Sequence, residues 1–494
     1  MVRRLRSSGF LALVLFIVFL MLPVASFGQD ASTAGGADKG AGEDAAAAGQ
    51  LAPASSGTAI IDLDEANPSS GPGWSFADDI FTIDANANVT VRGTTSTRRV
   101  VVAGSANVTL SGAAIDISNI ASAAPFSINA GATVNLTLTG TNTLKAGAAA
   151  AGLNVASTGS LTITEGSAGA LAVTGGTYVD STYTPGGDGI FGGTLNIKGG
   201  AITATGGAGI ANPMGGSGIK AGSVTISGGT VNAQGRAHGV GISGATIEIS
   251  DGNVTAIGNQ AAGIRGTTST TISGGTVKAE GGLFAAGIGS DSNAAVGAIK
   301  ITGGTVTAKG GDGGAGIGSG DQNPAVPITI SGGTVEATGG YDAAGIGGGH
   351  IVGSGSITIS GGMVTASGGT SGAGIGGGFS GGGGSVTISG GTVTASGGGN
   401  GSADIGNGAS PTSSVTVVIK GGSVKASSIL PGPLSAASYG EPVFLNTITV
   451  GEPAVADGVA VELSGSSIDG VACTTGGTGG FGIHDVKTKD GGKV

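Results

Sequence analysis

The residues able to do chemistry in this sequence are few, and several recur at a near-constant interval. Asp312 and Asp342 follow two successive Gly-Gly pairs, beginning at Gly303 and Gly332, by nine and ten residues. Asp291 and Asp321 follow the pairs at Gly274 and Gly303 by seventeen and eighteen. If successive pairs mark successive layers of a stacked structure, each couple of carboxylates lies on neighbouring layers ~4.8 Å apart. Like charges at that spacing repel unless a cation or a sugar hydroxyl bridges them, and calcium, a hard cation, suits oxygen ligands. These four aspartates are therefore the candidate calcium ligands, although the calcium-binding nonapeptide GGxGxDxUx is not matched. Phe284 and Tyr341 lie in the corresponding loops, ten and nine residues past Gly274 and Gly332. Two layers separate them by ~10 Å, near the length of a disaccharide, which makes them the candidate carbohydrate-binding aromatics.

No catalytic residue is assigned. Polysaccharide-cleaving sites need clustered acids with a histidine or arginine beside them. His238, His350 and His484 are far apart in the chain, and His350 follows three glycines in a loop, where solvation is its expected role. Arg236 and Arg265 lie about one repeat apart, with no acidic cluster expected at their repeat position. No GxSxG, Cys–His or HExxH pattern occurs. The triplets Thr305, Val306, Thr307 and Thr392, Val393, Thr394 suggest a water-ordering face of the ice-binding kind. That array is broken by Asn232, Lys278, Glu336 and Met363, and threonine is in any case a good strand residue. With 20 basic against 30 acidic residues the chain is a poor match for nucleic acid, which demands basic patches. A lone cysteine, Cys473, excludes an intramolecular disulfide.

The elements that must position these residues follow from the repeat. The first glycine of the pair recurs at Gly199, Gly228, Gly274, Gly303, Gly332, Gly361, Gly390 and Gly421, with Asp251-Gly252 a degenerate copy; four consecutive steps are 29 residues and two are 23. Within each copy apolar residues alternate, as in Ile328, Ile330, Val335, Ala337 and then Ile346. A period of two is the signature of a strand, and glycines at this density break any helix. Each copy thus holds three short strands, and one copy alone buries too little to offset the ordering of its backbone. Stacking copies solves this. The expected fold is all-β: a right-handed parallel β-helix, a solenoid of about 29 residues per coil, since parallel crossovers are almost always right-handed. A β-propeller needs longer, antiparallel repeats. The aromatic share of 3% and charged share of 10% also exclude a layered α/β enzyme.

Around this solenoid the chain divides as follows. Residues 1–28 read as a signal peptide: Arg3, Arg4 and Arg6, an apolar run at 10–22, Pro23 and small residues after it. The run is short of the ~20 residues a spanning helix wants, so no membrane span is expected after cleavage. Residues 29–71 read as a flexible Ala/Gly/Ser-rich linker. The β-helix occupies 72–432, with irregular coils at 72–193, opened by Trp74, Phe76 and Phe81 as a cap, and regular repeats at 194–427. Residues 433–494 form a C-terminal β segment that reads as truncated.

The phrases TISGGTVTASGG and GAGIGGG, with FTIDANANVTVRGT and INAGATVNLTLTGTNTLKAG upstream, resemble a family of bacterial secreted or cell-surface β-helix proteins labelled carbohydrate-binding-domain-containing. The resemblance spans most of 74–427. It implies export, a right-handed parallel β-helix and binding of polysaccharide, with calcium as an accompanying ion. The expected function is a non-catalytic, adhesin-like surface protein holding extracellular or cell-wall polysaccharide. A pectin-degrading type of lyase or hydrolase and a ligand-free structural spacer are the alternatives.

Overall fold

The computed structural model describes residues 58–178, 186–209, 214–292, 296–323, 325–382, 384–412, 415–427 and 429, together with short strands at Ile448–Val450, Ala460–Leu463 and Lys487–Thr488. The signal peptide expected at 1–28 and most of the linker lie outside these residues. Every regular element among the described residues is a β-strand.

The alternation read from the sequence sets the geometry. A regular coil runs through Ala298–Ile301, Thr305–Lys309 and Ile317–Gly318. The next runs through Ile328–Ile330, Thr334–Thr338 and Ile346–Gly347. Each strand pairs in parallel with its counterpart one coil on, so identical residues stack. Ile301, Ile330, Ile359 and Ile388 form one column. Val306, Val335, Val364 and Val393 form a second. Ile317, Ile346, Ile375 and Ile405 form a third. All are buried and belong to one continuous core. The first column runs back through Ile197, Ile163, Leu136 and Val108 to Val89, so the irregular coils share the same axis. The chain is a parallel β-helix, with connections of the class that is right-handed in nearly all proteins.

The Gly-Gly corner has two separate requirements. In the pair Gly332-Gly333 the second residue has φ +84°, which costs any residue with a Cβ. The first is demanded by the coil beneath: a methyl added to Gly332 would lie 2.4 Å from the carbonyl oxygen of Thr302. The first position is glycine for the closeness of the stack, the second for its dihedral and for the stack as well, since a methyl on Gly333 would lie 2.7 Å from the carbonyl oxygen of Gly304.

Three features differ from expectation. The linker ends earlier than residue 71: Ala59–Asp62 is a strand, paired in parallel with Asn88–Thr95, and Ile61 and Leu63 are buried. Alternation over so few residues is too short to stand out from its Ala/Gly/Ser-rich surroundings. Trp74–Ala77 and Ile80–Ile83 form an antiparallel hairpin whose turn residues Asp78 and Asp79 both have positive φ. The rings of Trp74 and Phe76 pack on Phe81 at 5.6 and 4.6 Å. Finally, the strands at Ile448–Val450 and Ala460–Leu463 pair in parallel with Thr416–Ala426, so the ladder of the β-helix continues past residue 432 into the C-terminal β segment.

Buried polar side chains are served by the backbone to different degrees. Asn142 is fully buried; its Oδ1 accepts from Ala113 N at 2.9 Å and its Nδ2 donates to the carbonyls of Thr139 and Ala170. Asp188 is less well served. Its carboxylate accepts one bond from Ser217 N at 2.6 Å, and burial drives its pKa up against that bond and the nearby Lys220. A carboxyl whose pKa is higher folded than unfolded works against the fold once ionised: stability is full below the unfolded value and is lost as pH rises through the folded one. Asp188→Asn, which keeps an acceptor for Ser217, is therefore expected to raise the melting temperature near pH 7, with the gain vanishing towards about pH 3. Circular-dichroism melts across that range measure it.

Candidate functional site

The solenoid carries its chemistry on one ridge, made where the coils become longer. In the short coils the chain passes directly from Ile242 to Ile247 within the single strand Ile242–Ile257. From Ile288 onward a loop intervenes between the Ile-Gly strand and the next one, as between Ile288–Gly289 and Ala298–Ile301. These loops stack because glycine lets their backbones touch. A methyl on Gly349 would lie 2.3 Å from the carbonyl oxygen of Gly320, and one on Gly378 would lie 1.9 Å from that of Gly349. The residues that follow, Asp321, His350 and Phe379, are thereby set one above another.

A second column runs beside the first, in the loops after the valine strands. Asp321 N donates to Phe284 O at 3.0 Å, His350 N to Gly313 O at 3.0 Å, and Phe379 N to Asp342 O at 2.8 Å. These bonds tie the columns into a two-rail ladder. A methyl on Gly313 would meet the Phe284 ring at 3.1 Å, Asp321 at 3.5 Å and His350 at 3.7 Å, so three side chains surround one glycine.

His350 is the centre of the cluster. Its Nδ1 stands 3.3 Å from Asp321 Oδ1 and its Nε2 stands 3.8 Å from Asp342 Oδ2. Its ring stacks on Phe379 at 5.7 Å with the planes 21° apart. Asp321 is only 7% exposed; Gln322 Nε2 donates to its Oδ2 at 3.2 Å, whereas Oδ1 is buried with no hydrogen-bond donor. Beside the cluster lies a shallow open depression of about 550 Å³, lined by Gln322, Asn323, Ala325, Ile351, Val352 and glycines.

The sequence-derived candidates are thus all on or next to this ridge, in a different arrangement from the one expected. The loops are in register at Gly282, Gly311 and Gly340, so Asp312 aligns with Leu283 and Tyr341, while Asp342 aligns with Phe284 and Gly313. Asp312 and Asp342 are one position out of step, as are Phe284 and Tyr341. Asp291 aligns with Gly320, not with Asp321. Its carboxylate is held by the Arg265 guanidinium and the Ala262 N–H. Among the described residues no group of three or more His, Cys, Asp or Glu side chains is arranged to hold a metal ion. Phe284, at φ +65° and 45% exposed, and Tyr341, 58% exposed, both present aromatic surface to solvent.

Two expectations are corrected here. His350 is not merely solvated; it is wedged between two aspartates and a phenylalanine. Arg265 does have an acidic partner, Asp291. Counting from the Gly-Gly marker separates the positions once unequal offsets are kept apart: Asp312 and Tyr341 stand at nine residues, Phe284 and Asp342 at ten, Asp291 at seventeen, and Asp321, His350 and Phe379 all at eighteen. Treating offsets that differ by one as equivalent hid the column of Asp321, His350 and Phe379.

Comparison with known families fits this geometry. Eight segments match the beta helix repeat: residues 195–210, 224–246, 247–264, 271–292, 299–321, 328–350, 357–379 and 386–409. Three of the matched segments end on Asp321, His350 and Phe379, so the repeat boundary falls on the ridge. No match was found among curated proteins or solved structures.

The Arg265–Asp291 pair, largely buried, offers a check on this layout. Removing Arg265 alone leaves a largely buried, unpaired carboxylate, which costs about 2 kcal/mol after allowing for partial solvation. Removing both partners leaves no unpaired charge. In urea denaturation Arg265→Ala is therefore expected to be less stable than Arg265→Ala/Asp291→Ala; the opposite order would remove the pair from the account.

Proposed function

We propose that this chain is an exported, non-catalytic surface protein that binds extracellular or cell-wall polysaccharide along the loop ridge. The observation that carries the reading is the convergence of Phe284, Asp312, Asp321, Tyr341, Asp342, His350 and Phe379 on one edge of a rigid stack. Aromatic faces supply apolar surface for sugar rings, and the carboxylates accept hydroxyl hydrogen bonds. The ridge is shallow and repetitive, which suits an extended polymer held by several weak contacts acting together. Export is supported by the charged, apolar and small-residue order of 1–28. Among the described residues no helix is long and apolar enough to cross a membrane.

A second reading has one observation in its favour. A histidine flanked by two aspartates is a possible acid–base group for cleaving a glycosidic bond. Binding and cleavage separate cleanly in experiment.

A glycan array probed with the full secreted chain is expected to show retention on a defined polysaccharide class without release of reducing sugar. Tyr341→Ala and Phe379→Ala are each expected to weaken retention by about tenfold, equivalent to ~1.4 kcal/mol. Sugar release abolished by His350→Gln would instead establish the enzyme. No retention on any glycan would leave a structural spacer.

A further inference from the structure

We infer that two copies of this chain associate face to face, with their coils in opposite order, through the sheet that carries Glu248 and Lys300. The partner is a second copy of the chain, and the surface is one that glycan binding along the ridge leaves unused.

The sheet is built from the strand that opens each coil, and its outward residues stack in columns as the inward ones do. Glu248 in Ile242–Ile257 pairs with Thr271 in Ile264–Ile272, and Thr271 pairs with Lys300 in Ala298–Ile301. Thr271 thus has an acid one coil to one side and a base one coil to the other. Glu248 and Lys300 are both exposed. The coil between them sets their backbones ~10 Å apart, and among the described residues neither joins an ion pair. Followed out to Asn135 on one side and Val418 on the other, the column is otherwise uncharged.

One arrangement satisfies both charges at once. A twofold axis lying along the strand direction at the level of Thr271 reverses the order of the coils and keeps the direction of the strands. Glu248 of each copy then faces Lys300 of the other, so the contact is self-complementary. Further out, Thr225 meets Thr329 and Asn196 meets Thr358, pairs that can exchange hydrogen bonds. Moving the axis by one coil sets Glu248 or Lys300 against its own copy, so the charges also fix the register. From Asn135 to Val418 the face is ~50 Å long. At a width of ~15 Å it offers ~750 Å² per copy, about what a stable interface of standard size takes from each partner.

The neighbouring sheet shows what a poor match looks like. There Lys278 and Glu336 flank Thr307 in the same way. Lys278, however, is already paired with Glu280, and Lys309, on the same strand as Thr307, would lie on the axis against its own copy. The Glu248 face carries neither conflict. Because its axis runs along the strands, the ridge loops that lead into those strands in both copies lie along one seam, which doubles the contacts open to a long polymer.

Analytical ultracentrifugation of the full chain tests this, in reducing buffer so that Cys473 cannot link chains. A concentration-dependent dimer is expected at micromolar protein. Lys300→Glu and Glu248→Lys each set like charges opposite one another at both contacts, and each is expected to raise the dissociation constant at least about tenfold. An equimolar mixture of the two variants is expected to recover the dimer, and so is the double variant Glu248→Lys/Lys300→Glu, because every charge again meets its opposite. A variant that had merely failed to fold would not recover on mixing. Lys309→Glu, on the neighbouring sheet, is expected to leave the dimer unchanged. A chain that stays monomeric, a dimer indifferent to the reversals or unrecovered by mixing, or equal loss with Lys309→Glu would each overturn the inference. Glycan retention is read separately and stands or falls by the array.

Discussion

The structure depends on the backbone ladder between like positions of successive coils. Parallel pairing at every strand requires each coil to approach the next without obstruction, and the sequence meets this with glycine at the corners and in the loops. Where a methyl would fall within 2.4 Å of a carbonyl, as at Gly332 and Gly349, no other residue fits. Once the backbones lie that close, side chains have no choice of neighbour. Ile stacks on Ile and Val on Val inside the coil, and whatever the loops carry is stacked outside it.

That constraint explains why the chemical residues gather on one edge. A short coil such as the one starting at Ile242 has no room for a second loop column. The longer coils from Ile288 onward add one, and because its glycines stack, residues distant in sequence become neighbours at the spacing of the ladder. His350 meets Asp321 from the coil before and Asp342 from the adjoining rail through this mechanism alone. The core tolerates polar side chains on the same terms: Asn142 survives inside because its amide completes hydrogen bonds that the local backbone leaves open.

Much of the fold was legible in the sequence. Ile328, Ile330, Val335, Ala337 and Ile346 announce their burial by alternation, and all are buried. The irregular coils were also readable, since Val134, Leu136, Leu161 and Ile163 keep the same period and the same inward face. What escaped did so for local reasons. The strand at Ala59–Asp62 is too short for its period to show. The site was legible in its membership but not in its pairing. Asp312, Asp321 and Asp342 could be found by counting from the corner glycines, but offsets that differ by one, nine against ten or seventeen against eighteen, belong to different columns, and equating them pairs the wrong neighbours. Arg265 lies in the strand Ile264–Ile272 and Asp291 in a loop of the next coil, so no count along a single repeat joins them.

The ladder at the ridge is tested most directly by disulfide trapping in a Cys473→Ser background. Asp321→Cys with His350→Cys places two thiols on adjacent coils, with Cα atoms ~4.8 Å apart, within the span of a disulfide. Asp321→Cys with Phe379→Cys places them two coils apart, beyond that span. The account predicts rapid and complete oxidation of the first pair and none of the second. Failure of the first pair to link, or equal linking of both, would contradict the stacked ridge and with it the site built upon it.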